Sequence, residues 1–166
     1  MMKEMTIKVF SRVNVEKFVT DLPHIVISIR EPDSPGYVNE RAKLPDNPNR
    51  IAELYLDFCD MDCRKTGPDK LQEIGYKLFS KDDAKAILSM VKITEPYINL
   101  IVVNCPGGIS RSSGVAAALS ILLKIPDGDN QYFNPKGPYT PNRFVYRTIL
   151  DTAIEENWYA PETGNL

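Results

Sequence analysis

The chain is poor in metal ligands, with one histidine, His24, and three cysteines, Cys59, Cys63 and Cys105, in 166 residues. Cys59-x-x-x-Cys63 and a lone histidine do not make a zinc set, so no metal and no other cofactor is expected. Three cysteines, with no apolar h-region behind Met1-Met2-Lys3-Glu4, argue against a disulfide scaffold and for a reducing, cytoplasmic setting. There is no long basic run and the net charge is −2, which excludes the electrostatic footprint of a nucleic-acid or anionic-membrane binder. No apolar stretch approaches the ~20 residues that span a bilayer. Internal repeats and low-complexity segments are also absent. What is left, 43% hydrophobic and 25% charged residues, suits one globular domain over residues 1–166 with a core of its own.

Short apolar runs alternate with amphipathic stretches. Thr6–Phe10, His24–Arg30, Arg50–Phe58 and Ile98–Val103 read as strands, the last one buried because it is branched and nearly uncharged. In the third run, Leu54, Leu56 and Phe58 share one face, and Tyr55 and Asp57 the other. Helices are predicted from Asn14, as cap, to about Thr20, and within Asp69–Phe79 through Leu71, Ile74 and Leu78. A further helix follows the cap Ser80, with Ala84, Ile87, Leu88 and Val91 on one stripe. Ser112–Lys124 is apolar on almost every face and so is expected at the centre of the fold. Thr140-Pro141 reads as cap and first-turn proline of the last helix, whose apolar side holds Phe144, Val145, Ile149, Ala153 and Ile154. The segment after Arg30, Asp60–Pro68 and Pro126–Tyr139 are loops. Strands alternating with helices specify an α/β fold, a mainly parallel sheet flanked by helices.

One strand-to-helix turn concentrates the chemistry: Asn104-Cys105-Pro106-Gly107-Gly108-Ile109-Ser110-Arg111-Ser112-Ser113. Gly107 and Gly108 open backbone conformations closed to other residues and a close approach to a ligand. The turn Pro106-Gly107-Gly108-Ile109-Ser110 is therefore expected to hold a phosphate or sulfate in a nest of N–H groups, reinforced by the helix N-terminus. Arg111 adds a planar fork that matches two anion oxygens. Cys105 lies at the bottom of this bowl, where a helix N-terminus and a cation favour a thiolate. Facing a bound phosphate ester, it would attack phosphorus and form a cysteinyl-phosphate, splitting one hard hydrolysis into two steps. Ser112 or Ser113 would hydrogen-bond the sulfur and make it a better leaving group in the second.

This turn resembles the signature H-C-x-x-G-x-x-R-S/T of the cysteine-based protein tyrosine phosphatases, nearest to the small dual-specificity type, with Asn104, Cys105, Gly108, Arg111 and Ser112 at those places. The order of elements from about Ile51 to Lys124 is similar as well. The resemblance implies a phosphatase-like α/β fold and hydrolysis of phosphotyrosine, with phosphoserine or phosphothreonine accepted too. It also implies a general acid on the loop after the strand ending at Phe58. By that resemblance Asp60 is the first choice and Asp62 the second, if the two strands are neighbours, while Asp57 packs or hydrogen-bonds locally. The family's spacing from acid to cysteine is shorter, and an insertion around Cys63–Tyr76 accounts for the difference.

Asn104 departs from the pattern. Histidine there helps hold the thiolate, whereas asparagine donates hydrogen bonds but carries no charge, so slower turnover is expected. Outside the turn, Arg30 is expected in a surface ion pair with Glu31 or Asp33, and Asn142 and Arg143 in helix capping and solvation. The expected partner is a phosphorylated protein or a small phosphate ester. Between Cys105 and Arg111 there is no lysine or second arginine, which disfavours polyanionic substrates such as phosphoinositides. Three alternatives stand beside this one: a phosphatase of a non-protein ester such as a nucleotide, a weak or inactive phospho-ligand-binding module, and arsenate reduction using Cys59 and Cys63.

Overall fold

Residues 100–105 are buried at every position, and in the computed structural model, which describes residues 3–158, they form the strand on which the fold is centred. Met1, Met2 and residues 159–166, which the single-domain reading includes, lie outside the described residues. The elements run β1 (Thr6–Ser11), α1 (Arg12–Val15), β2 (His24–Arg30), β3 (Arg50–Asp57), α2 (Pro68–Glu73), α3 (Lys81–Thr94), β4 (Leu100–Cys105), α4 (Arg111–Leu122), α5 (Asn130–Phe133) and α6 (Arg143–Glu155). One sheet holds the four strands in the order β1-β4-β2-β3, every pair parallel. The fold is α/β, as the alternation of strands and helices predicts.

A parallel sheet needs cover on both faces. On one side Ile101 and Val103 of β4 join Ile25 and Ile27 of β2 in a core with Ile87 and Val91 of α3, Val115 and Leu119 of α4, and Val145 and Ile149 of α6. On the other, Leu100 and Val102 meet Val26, Val15 of α1 and Ala42 of the long loop after β2, a thinner cover. Side chains alternate along a strand, so Cys105 belongs to the helix side with Ile101 and Val103, and Asn104 to the α1 side with Leu100 and Val102. Helix α4 is buried on all faces except at Ile121. It crosses α6 closely, since a Cβ on Gly114 would sit 2.7 Å from the Asn142 carbonyl oxygen.

Local signals hold where they are strong. Ser80 caps α3 in a reciprocal capping box with Asp83, and the predicted stripe is the buried one. Four expectations change. Helix α1 starts at Arg12, because Ser11 rather than Asn14 is the cap, its Oγ accepting the Asn14 N–H at 3.2 Å. Helix α2 covers only Pro68–Glu73 and ends before Gly75, whose φ of +105° an L-residue rarely adopts; Leu78 is buried in irregular chain beyond it, and Ile74 is exposed. Helix α6 begins after Asn142, not with Thr140-Pro141, because Asn142 Oδ1 accepts the Val145 N–H at 3.0 Å. The loop from Pro126 to Tyr139 contains the short helix α5.

No helix among the described residues is long and apolar enough to cross a membrane.

Candidate active site

Cys105 ends β4 and Arg111 opens α4, so the five residues between them form a turn at the C-terminal edge of the sheet. There an open parallel sheet presents its ligand sites. Gly108 has φ +68°, and a Cβ there would lie 2.5 Å from the Ser11 nitrogen and 2.7 Å from the Phe10 carbonyl carbon. Gly107 is in ordinary backbone, and a Cβ there would make only an ordinary contact, 3.9 Å from an Ile109 methyl. The special conformation expected of both glycines is thus needed at Gly108 alone.

The turn's carbonyls are tied outward. Pro106 O accepts the Arg12 N–H at 3.3 Å, Ile109 O the Thr140 N–H at 3.0 Å, and Ser110 O the Asn142 N–H at 2.9 Å. Among the described residues, the N–H groups of Gly107, Gly108, Ile109, Ser110, Arg111 and Ser112 donate no hydrogen bond. A run of free donors at a helix start is what an anion nest would require.

Cys105 is 2% exposed, and its Sγ lies 2.9 Å from Ser112 Oγ, fully buried beside it. Of the two serines open at the sequence level, Ser112 is the one on the sulfur; Ser113 Oγ donates instead to the carbonyls of Ile109 and Ser110. Arg111 is buried too. Its Nη1 donates to the Phe58 carbonyl at 2.8 Å and lies 2.6 Å from Glu31 Oε1, while its buried Nε has no hydrogen-bond partner among the described residues. One nitrogen is therefore anchored to the chain just beyond β2 and β3, and another donor of the fork is left over.

The two candidate acids separate cleanly. Asp60 Oδ1 accepts from Ser110 Oγ at 2.8 Å and from Asn142 Nδ2 at 2.9 Å, which joins the loop after β3 to the cradle. This contact forms although β2 lies between β3 and β4, so strand adjacency is not what brings Asp60 in. Asp62 turns to its own loop, accepting from the Arg64 N–H at 3.1 Å and pairing with Arg64 Nε at 2.7 Å. That backbone bond, and then the guanidinium, hold the Asp62 carboxyl below its ordinary range.

Arg30 is not paired with Glu31. It forms a two-pronged bridge to Asp57, with Nε to Oδ1 at 2.9 Å and Nη2 to Oδ2 at 3.0 Å, and a second pair with Asp33. The bond from Arg30 is the main cause holding the Asp57 carboxyl below its ordinary value. Glu31 is freed to anchor Arg111, a role sequence reasoning missed; its only local signal is an acid directly after a buried strand. Asn142 caps α6 as expected, but it also holds Asp60.

A cavity of about 640 Å³ opens beside Asp60 and Ser110, walled by Met61, Arg64, Leu71 and Pro141. It has room for a group larger than phosphate, and neither Cys105 nor Arg111 lines it. Behind the turn, a cavity of about 120 Å³ is lined by Asn104, Arg12, Glu31 and Pro106. Asn104 Oδ1 is buried there without a partner among the described residues. The void adjoins the side chain, so Asn104→His is expected to fit. The imidazole introduced there should speed alkylation of Cys105 by iodoacetamide at mildly acidic pH; an unchanged alkylation rate would show that this position does not act on the thiol.

Comparison of the chain with protein-family models, with curated protein sequences and with solved structures returned no match in any of the three.

Proposed function

We propose that the chain is a phosphomonoester hydrolase working through a cysteinyl-phosphate, of the protein tyrosine or dual-specificity type. One observation carries the reading: among the described residues the buried Arg111 Nε has no partner, next to a run of free amides and a buried cysteine. An unsatisfied buried guanidinium nitrogen costs stability, about 1–3 kcal/mol or more for a charged group. An oxyanion with several acceptor oxygens would offset that cost.

In the reaction, the Cys105 thiolate attacks phosphorus, forming the S–P bond as the P–O bond to the leaving group breaks. Asp60, protonated, gives its proton to the departing oxygen. Arg111 and the amides of Gly107 to Ser112 hold the three other oxygens and stabilise the charge they gain in the transition state. In the second step the Asp60 carboxylate takes a proton from water, the water oxygen bonds to phosphorus, and the S–P bond breaks. Ser112 donates to the sulfur as its charge returns. A phosphorylated protein, met in the cytoplasm, is the substrate this reading favours, because no lysine or second arginine stands between Cys105 and Arg111 to draw a polyanion.

A second reading, a phospho-ligand-binding module, is motivated by Asn104, which lies on the opposite face of the sheet from the thiol and carries no charge. The test is hydrolysis of p-nitrophenyl phosphate and a phosphotyrosine peptide with EDTA present. Turnover is expected on both, with Asp60→Asn losing about a hundredfold or more and the alkaline limb of its pH–rate profile on the phosphotyrosine peptide, whose leaving group needs its proton, and Asp62→Asn keeping both. No turnover at any pH from mildly acidic to neutral, with vanadate still bound, would overturn the enzyme in favour of the binder.

A further inference from the structure

Asn142 joins three segments. Its backbone N–H donates to Ser110 O in the cradle at 2.9 Å, and its Oδ1 accepts the Val145 N–H at 3.0 Å, capping α6. Its Nδ2 spends both protons on the acid loop, one on Asp60 Oδ1 at 2.9 Å and one on Met61 O at 3.1 Å. The orientation of the amide is forced from both ends. Val145 N–H needs an acceptor, and Met61 O and the Asp60 carboxylate need donors, so oxygen faces the helix and nitrogen the acid. The side chain is 2% exposed, so its hydrogen bonds are not shared with bulk water.

The consequence lies in which oxygen of Asp60 is used. Ser110 Oγ–H and Asn142 Nδ2–H both end on Oδ1. A carboxylic acid carries its proton on one oxygen, and an oxygen already accepting two hydrogen bonds is a poor place for it. We propose that Asn142, helped by Ser110, is the positioning residue of the general acid: it takes up Oδ1 so that the proton rides on Oδ2 and is delivered from there. The inference rests on Asp60 being the acid of the proposed hydrolase. Capping alone would need only Oδ1 of Asn142; the two Nδ2 bonds are the part that capping does not explain.

The test uses Asn142→Ser, which keeps a capping oxygen but loses the two-pronged amide donor, read with two substrates. A p-nitrophenolate leaves without protonation, whereas the phenolate of phenyl phosphate needs its proton. The expected loss in kcat is about tenfold with phenyl phosphate and under about twofold with p-nitrophenyl phosphate, with KM little changed. In an Asp60→Asn background the same substitution should cost nothing further, because Asn142 acts through the acid. Asn142→Asp, an equally good cap, sets a carboxylate against Asp60 and should move the alkaline limb of the profile to higher pH. Charged groups lining the same cavity are Asp62, Arg64 and Lys65 on the loop, and Arg143 follows Asn142 on α6; all stay constant across these variants.

Equal losses with both substrates, additive to Asp60→Asn, would reduce Asn142 to a structural cap and overturn the proposal. Wild-type protein idle on both substrates would instead overturn the hydrolase reading, and the proposal with it.

Discussion

Cys105→Ser is expected to bring hydrolysis of p-nitrophenyl phosphate to background while leaving the fold and vanadate binding in place. The serine hydroxyl ionises far above neutral pH, so the variant lacks the one group that forms the intermediate. It is also smaller than cysteine, and the site is 2% exposed and 2.9 Å from Ser112 Oγ, a contact that an oxygen can keep. Stability should therefore change by no more than about 1 kcal/mol. The ligands of the oxyanion, Arg111 and the free amides, are untouched, which is why binding should survive. Acid-quenched wild-type enzyme should carry the mass increment of one phosphoryl group on the peptide containing Cys105, and the variant none. Undiminished turnover in Cys105→Ser, or a phosphoryl group trapped elsewhere, would sink the mechanism.

Gly108→Ala should damage both stability and turnover, and Gly107→Ala neither. At position 108 the added methyl meets main chain of β1, 2.5 Å from the Ser11 nitrogen, where no side chain can swing aside. The positive φ costs a non-glycine residue about 1–2 kcal/mol, and overpacking adds about 1–3 kcal/mol. Together they lower the melting temperature of a domain this size by roughly 4–20 °C. To relieve the clash the turn must lift away from β1, which carries the amides out of register with the anion, so phosphate affinity and kcat should fall together. At position 107 the nearest atom is an Ile109 methyl at 3.9 Å, an ordinary contact. Thermal melts and phosphate titration of the two variants side by side would decide it, and equal behaviour would contradict the geometry.

The parts of this site visible in the sequence are those that local chemistry determines. Cys105, Arg111 and Ser112 sit in one short turn between a continuous apolar strand and an all-round apolar helix, and burial on every side forces both patterns. Ser80 and Asp83 announce α3 because a capping box is complete within four residues. The missed parts are bonds between distant segments. Ser110 meets Asp60 across 50 positions, Arg111 meets Phe58 across 53, and Asn142 meets Asp60 across 82. Nothing local to Glu31 says that its partner will be Arg111 rather than Arg30; that choice is made by Asp57, which stands opposite Arg30 in the β2–β3 register and takes its guanidinium. Ser11 and Asn14 are comparable caps on paper. Pairing of β1 with β4 out to Ser11–Cys105 decides between them, because it holds Ser11 extended.

Anchoring of Arg111 through Nη1 shifts a cost from binding to folding. A long cationic side chain surrenders about 2 kcal/mol of rotamer entropy when it is fixed, and here the Phe58 carbonyl and Glu31 fix it before any anion arrives. In the proposed reaction, an incoming phosphate would meet a fork that has already lost that freedom, so less of its interaction energy would go to ordering the protein. The same arrangement makes affinity a property of the sheet edge. Fraying at the ends of β2 or β3 would release the guanidinium and weaken binding with every residue of the turn still in place.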